Sequence, residues 1–146
     1  VTTELYTERL YFITPPDDGV PATLPFAALE GYPLILPGRQ HGLRDMIDRL
    51  AREHRLSLRV QVEIDAMSQM KLLVRHGVGC TVLPLPAVAE EIRRGELCAV
   101  PIVEPAINRT IYVANASDRP QSPAVAATVR ILERCVQGLV AVPPAE

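Results

Sequence analysis

From Leu34 onward, short apolar runs alternate with longer stretches whose apolar residues recur at helical spacing, and this alternation is what most restricts the fold. Leu34-Ile35-Leu36 is a compact apolar run stopped by Pro37-Gly38. From Gly42 to Arg55, the residues Leu43, Met46, Ile47, Leu50 and Ala51 fall on one stripe of a helix. Leu58, Val60, Val62 and Ile64 then alternate with Arg59, Gln61 and Glu63, the pattern of a strand with one buried face, at or near a sheet edge. Asp65 is placed to cap a helix carrying Met67, Met70, Leu73 and Val74, which Gly77 ends. Val78 to Pro84 reads as a buried strand, Pro86 to Arg94 as a short helix closed by Gly95, and Leu97 to Val103 as a further strand. Strands joined through helices of this length require crossovers. The predicted class is therefore α/β, an open, mainly parallel sheet with helices on both faces, whose ligands sit at the carboxyl ends of strands.

The two ends are less regular. Arg9 to Thr14 is strand-like and is halted by Pro15-Pro16-Asp17-Asp18-Gly19. Leu24 to Leu29 is expected as a short helix opened by Pro25 and ended by Gly31. Thr110 to Ala116 is expected as a strand. Ser122-Pro123 opens an amphipathic helix through Val125, Val129, Leu132, Val136 and Leu139, and the tail Val142 to Glu146 is expected to fray. The chain opens at Val1 directly into a strand-like stretch, which suggests a piece of a longer protein.

Composition removes several function classes. With 146 residues, 48% apolar and 22% charged, the chain can bury the core of one or two small lobes. A net charge of -2, with no Lys/Arg run longer than two, gives no footprint for a polyanion, so the chain is not expected to bind DNA by itself. Cys80, Cys98 and Cys135 are too far apart for a disulfide framework or a CxxC metal site, which fits a reducing compartment. No window approaches the roughly 18 to 20 apolar residues of a membrane span, and the N-terminus lacks the blocks of a signal peptide. The expected address is the cytoplasm, with no membrane partner. There is no nucleophile elbow, phosphate loop or HExxH, and His41, His54 and His76 have no spacing for a shared metal. Catalysis, a metal and a cofactor are not expected.

The stretch Glu63 to Leu97 resembles the second effector subdomain of LysR-type transcriptional regulators, a periplasmic-binding-protein-like (type II) fold. The resemblance rests on an acidic strand end (Glu63), a helix ending Leu73-Val74 followed by Gly77 and Gly79, a strand ending Leu83-Pro84, and Gly95-Glu96-Leu97. Leu10 to Pro15, Leu29 to Ile35 and Leu43 to Ile47 follow the family's order, so the likeness covers roughly residues 4 to 139. It implies that 1–14 is a remnant of effector subdomain I, 15–112 is subdomain II, and 113–146 is the return strand and C-terminal helix of subdomain I. It further implies a small-molecule effector bound in the inter-subdomain cleft, assembly as a homo-oligomer (dimer or tetramer), and contact with promoter DNA only through an N-terminal helix-turn-helix domain absent from this chain.

The same resemblance points to the loop Gly38, Arg39, Gln40, His41 and Gly42, to Ala66 and Ser68 at the next helix start, and to Thr81 as effector contacts. The loop chemistry suits an anion: helix N-termini carry unpaired N–H groups and positive dipole ends, and Arg39 offers a bidentate fork. A small organic acid is the expected effector class. A plainer reading makes Arg39 and Arg44 solvated charges, Asp65 and the glycines servants of their own turns, Thr81 and Cys80 packing residues, and His54 and His76 partners of helix C-termini. A solute-binding receptor of similar fold, or an enzyme on that fold, is the alternative function.

Overall fold

A computed structural model describes residues 2–17, 19–115 and 122–140, the side chains of 139 and 140 excepted. The elements in order are β1 (Thr2–Thr14), β2 (Leu24–Pro25), a 3-10 helix (Phe26–Gly31), β3 (Leu34–Leu36), α1 (Gly42–Glu53), β4 (Val60–Glu63), α2 (Met67–Arg75), β5 (Thr81–Pro84), α3 (Leu85–Arg93), β6 (Cys98–Val103), β7 (Asn108–Ala114) and α4 (Pro123–Val140). They divide into two compact units, Arg9–Ile107 and Val1–Glu8 with Asn108–Glu146. The divisions fall at 8/9 and 107/108.

In the larger unit, β3 pairs with β4 in parallel, and a parallel bridge between Leu34 and Cys80 joins β3 to the chain entering β5. From there the order runs β5, β1, β6, β2. β2 is parallel to β6, whereas β1 lies antiparallel to both β5 and β6, with Phe12 opposite Val82 on one side and Val100 on the other. The crossover argument holds where a helix joins neighbouring strands, as α1 joins β3 to β4. No helix joins β1 to its neighbours directly, so its direction lies outside that rule.

Helix α1 buries Leu43, Ile47 and Ala51, the stripe expected from their spacing. With Phe12, Phe26, Leu29, Ile35, Val74, Val82 and Ile102 they form one continuous core. At roughly 25 cal/mol per Å2 of apolar surface removed from water, each fully enclosed Leu, Ile or Phe contributes about 1.5 to 3 kcal/mol. The short helix expected over Leu24 to Leu29 forms one or two residues later than its expected start, as a 3-10 helix. Leu24 and Pro25 extend to pair with β6, and only Phe26–Gly31 coils, as a 3-10 helix without a side-chain cap. Pro25 at φ -59° and ψ 139° is extended, so it stands before the turn rather than inside it.

Two glycines give the Gly77/Gly79 pair its physical meaning. Gly77 ends α2 at a φ of 74°, where a side chain would be strained. A Cβ at Gly79 would lie 2.7 Å from the Pro33 carbonyl oxygen. That carbonyl accepts the Cys80 N–H at 2.8 Å, so the closeness of the β3–β5 seam excludes any larger residue.

In the smaller unit, β7 pairs with β1. The Arg109 guanidinium pairs with Glu8, and the Thr7 and Thr110 hydroxyls lie 2.9 Å apart. Ser122 caps α4 as expected, its hydroxyl accepting the Val125 N–H at 3.3 Å. Val125, Ile131 and Leu132 on this helix are exposed. The tail Val142 to Glu146 and the end of the Thr110 to Ala116 run lie outside the described residues.

Candidate functional site

The parallel pairing of β3 and β4 brings their carboxyl ends side by side, and the Ile64 N–H donates to the Leu36 carbonyl at 3.0 Å to fasten them. Beyond these ends the chain has two segments to place: Pro37 to His41 leading into α1, and Ile64 to Ala66 leading into α2. A cavity of about 370 Å3 opens there, lined by Gly38, Arg39, Gln40, His41 and Asp65.

The loop is held on three sides. The His41 N–H donates to the Gly38 carbonyl at 2.9 Å, closing a turn around Arg39 and Gln40. His41 is also the N-cap of α1, its Nδ1 accepting the Leu43 N–H at 3.2 Å, so this ring nitrogen must be unprotonated for the bond to form. One orphan donor of the helix is thus satisfied internally. The Gly38 N–H donates to Asp65 Oδ1 at 2.9 Å across 27 residues of chain. A Cβ on Gly38 would sit 3.4 Å from that same oxygen, so the carboxylate fits closely against the glycine.

Beneath the loop lies Arg44, 3% exposed. Its Nε donates to Asp48 at 2.9 and 3.0 Å, and its Nη1 donates to the Pro37 carbonyl at 3.0 Å and pairs with Glu63 at 3.3 Å. One guanidinium therefore ties the end of β3, the body of α1 and the end of β4. The plainer reading of Arg44 as a solvated charge is overturned: a buried guanidinium survives only with such partners. A second cavity of about 430 Å3 runs along α1 on this side, with Arg39, Arg44, Asp48, Arg52 and Glu63 among its lining.

The structure thus gathers Gly38, Arg39, Gln40 and His41 on one cavity. Gly42, Ala66 and Ser68 are exposed residues at the adjoining starts of α1 and α2 but do not line it. Thr81 is fully buried and its hydroxyl donates to Met70 Sδ at 3.2 Å, so the sheet directs it into the core and away from the loop. Asp65 departs from its expected role. Ala66 is the N-cap of α2, no side chain caps that helix, and the Asp65 carboxylate serves the Gly38 backbone instead. Arg44 was legible in principle, because it stands three residues before Ile47 and seven before Ala51, on the buried stripe, with Asp48 one turn on. Nothing local reveals the bond between Asp65 and Gly38.

Cys80 is buried and its thiol pKa is raised by that burial, a small core residue as expected. His54 and His76 stand at the C-caps of α1 and α2. Among the described residues, no group of three or more His, Cys, Asp or Glu side chains is arranged to hold a metal ion. No described helix is long and apolar enough to cross a membrane.

The sequence profile of the LysR substrate binding domain matches residues 1–136. The chain belongs to this family. The LysR domain fold is shared with the regulatory domain of CcmR from Synechocystis PCC6803, solved in complex with 2-PG, at a TM-score of 0.83 and 24% identity over 94% of this chain and 67% of that one. The effector binding domain of QuiR in complex with shikimate gives a TM-score of 0.78 at 20% identity, over 94% of this chain and 66% of that one. A C206 mutant of OxyR from Corynebacterium glutamicum gives 0.78 at 25% identity, over 97% of this chain and 45% of that one. Among curated proteins, the HTH-type transcriptional regulator YeiE of Escherichia coli K12, itself described as uncharacterized, is 26% identical over 108 residues, 74% of this chain. This LysR domain spans 37% of the length of that relative.

Proposed function

We propose that this LysR domain is the effector-sensing part of a cytoplasmic transcriptional regulator, and that it binds a small organic acid on the loop between β3 and α1. The observation that carries the reading is the cavity at the adjacent carboxyl ends of two parallel strands, where Arg39 and His41, the N-cap of α1, line one space. A carboxylate set there gains a guanidinium fork and the positive end of a helix dipole, while Gln40 adds a neutral donor. The solved relatives in complex with 2-PG and with shikimate support a small-molecule ligand for this fold. Ser68, Ala66 and Gly42 belong to the proposed site as its rim.

The effector acts by binding one arrangement of the regulator more tightly than another, because a ligand with equal affinity for both shifts nothing. The arrangement belongs to a homo-oligomer, a dimer or a tetramer, that reads promoter DNA through a separate helix-turn-helix domain. A thermal-shift screen against small carboxylates, repeated with Arg39→Ala, tests the binding step. At a ligand concentration of about 100 times Kd, stabilisation reaches about 2.7 kcal/mol, and Arg39→Ala abolishes the shift. A hit whose shift survives Arg39→Ala places the acid elsewhere.

A further inference from the structure

The site contains two opposite charges that do not satisfy each other. Arg39 and Asp65 line the same cavity, yet among the described residues neither forms an ion pair. The neighbouring cation Arg44 is different, saturated by Asp48, Glu63 and the Pro37 carbonyl. Asp65 spends one oxygen on the Gly38 N–H at 2.9 Å, which fixes the carboxylate in place and leaves most of its acceptor capacity unused. A ligand that is only anionic would meet Arg39 favourably and Asp65 unfavourably.

We propose that Asp65 is the specificity-determining residue of this site, and that the preferred ligand is a zwitterion of the α-amino acid class: carboxylate toward Arg39, ammonium toward Asp65. The inference rests on the small-acid reading above and narrows it. The ammonium completes the unused valence of a carboxylate already oriented by the loop backbone, so little further ordering is required on binding. A desamino acid of the same shape leaves Asp65 facing a methylene and loses a charge-assisted hydrogen bond.

The test is calorimetric titration of the protein with matched pairs, L-aspartate against succinate and L-leucine against 4-methylpentanoate, on the native chain, Asp65→Asn and Arg39→Ala. Asparagine keeps an acceptor for the Gly38 N–H, so the loop is retained while the charge is removed. At least one amino acid is expected to bind about tenfold or more tightly than its desamino partner. Asp65→Asn is expected to erase that preference, and Arg39→Ala to weaken both members of the pair. A native chain that binds desamino acids as well as amino acids, or a preference that persists in Asp65→Asn, overturns the role of Asp65 and leaves the carboxylate site standing. No binding by either class overturns the small-acid reading and this inference with it.

Discussion

Two strand-to-helix passages of the larger unit leave β3 and β5, which run parallel to each other, yet they are built differently. After β3, the residues Pro37 to His41 intervene before α1 begins. After β5, none intervene: Pro84 ends the strand and Leu85 opens α3, with a proline in the first turn. The first passage has exposed backbone and side chains to spare, which Arg44 and Asp65 then hold. The second has no slack, and the charges on its helix are spent on one another and on α2, with Glu90 paired to Arg93 and Arg94, and Glu91 to Lys71. The strand end with the longer connection opens a cavity, because the chain beyond it curls and is fixed by partners outside its own segment. The strand end with no such length serves packing.

The sharpest way to break this comparison is Arg44→Met, which removes the tie beneath the β3 passage. Asp48 and Glu63 keep partial exposure, so the cost falls below that of a fully buried pair, at about 2 to 3 kcal/mol in urea unfolding. A loss under about 0.5 kcal/mol would show that the loop holds itself.

Next in size is Gly79→Ala at the seam between the two passages. The Cβ would enter the 2.7 Å space before the Pro33 carbonyl. An overpacking cost of about 1 to 3 kcal/mol is expected, visible as a lowered Tm with no change in charge.

Lys71→Met tests the β5 side. Lys71 Nζ lies 2.5 Å from Glu91 and donates to the Ala87 carbonyl at 3.0 Å, linking α2 to α3. The hydrogen bond from Lys71 is the main cause that holds the Glu91 carboxyl below its ordinary 4.5. A carboxylate whose folded pKa is depressed contributes stability above its unfolded value and loses it as pH falls through the folded one. The native chain is therefore expected to lose this contribution below about pH 4.5. Lys71→Met should cost about 1 kcal/mol at pH 7 and flatten that acid limb of the stability profile. An unchanged acid limb would remove Lys71 as its cause.

The smallest effect is kinetic. Cys80 bridges the seam and burial raises its thiol pKa, whereas Cys135 is exposed. Alkylation at neutral pH should modify Cys135 quickly and Cys80 only as the seam opens, so labelling of Cys80 should accelerate in Gly79→Ala. Equal rates at both thiols would mean that the seam between β3 and β5 opens freely.

What could be read in the sequence follows the range of the forces involved. Periodicity reports which face of an element is dry, so Leu43, Ile47 and Ala51 mark α1, and the alternation through Val60 and Val62 marks β4 as a strand at or near a sheet edge, where it lies at the edge beside β3. Turn chemistry at Gly77, Gly95 and Ser122 acts within a few residues and was equally visible. The role of Asp65 is decided by a partner on a different element, whereas Arg44 is half legible: Asp48 lies one turn on along its own helix, but the Pro37 carbonyl and Glu63 come from elsewhere. An Asp before a helix has two possible employers, its own N-terminus and any backbone N–H that the fold delivers, and Gly38 arrives only once β3 and β4 have paired. The loop residues 38–41 came from resemblance, and geometry supplies the reason that they share one cavity.

The edge position of β4 has a consequence for how copies of this domain behave when crowded. Among the described residues β4 pairs only with β3, so its outer flank offers backbone donors and acceptors that another chain could extend into an aggregate. The strand is only Val60–Glu63, and the exposed members of its alternation are Arg59, Gln61 and Glu63, so an incoming strand would have to desolvate charge at both ends of a very short template. Solubility at this edge is thus written into the same period of two that builds the sheet.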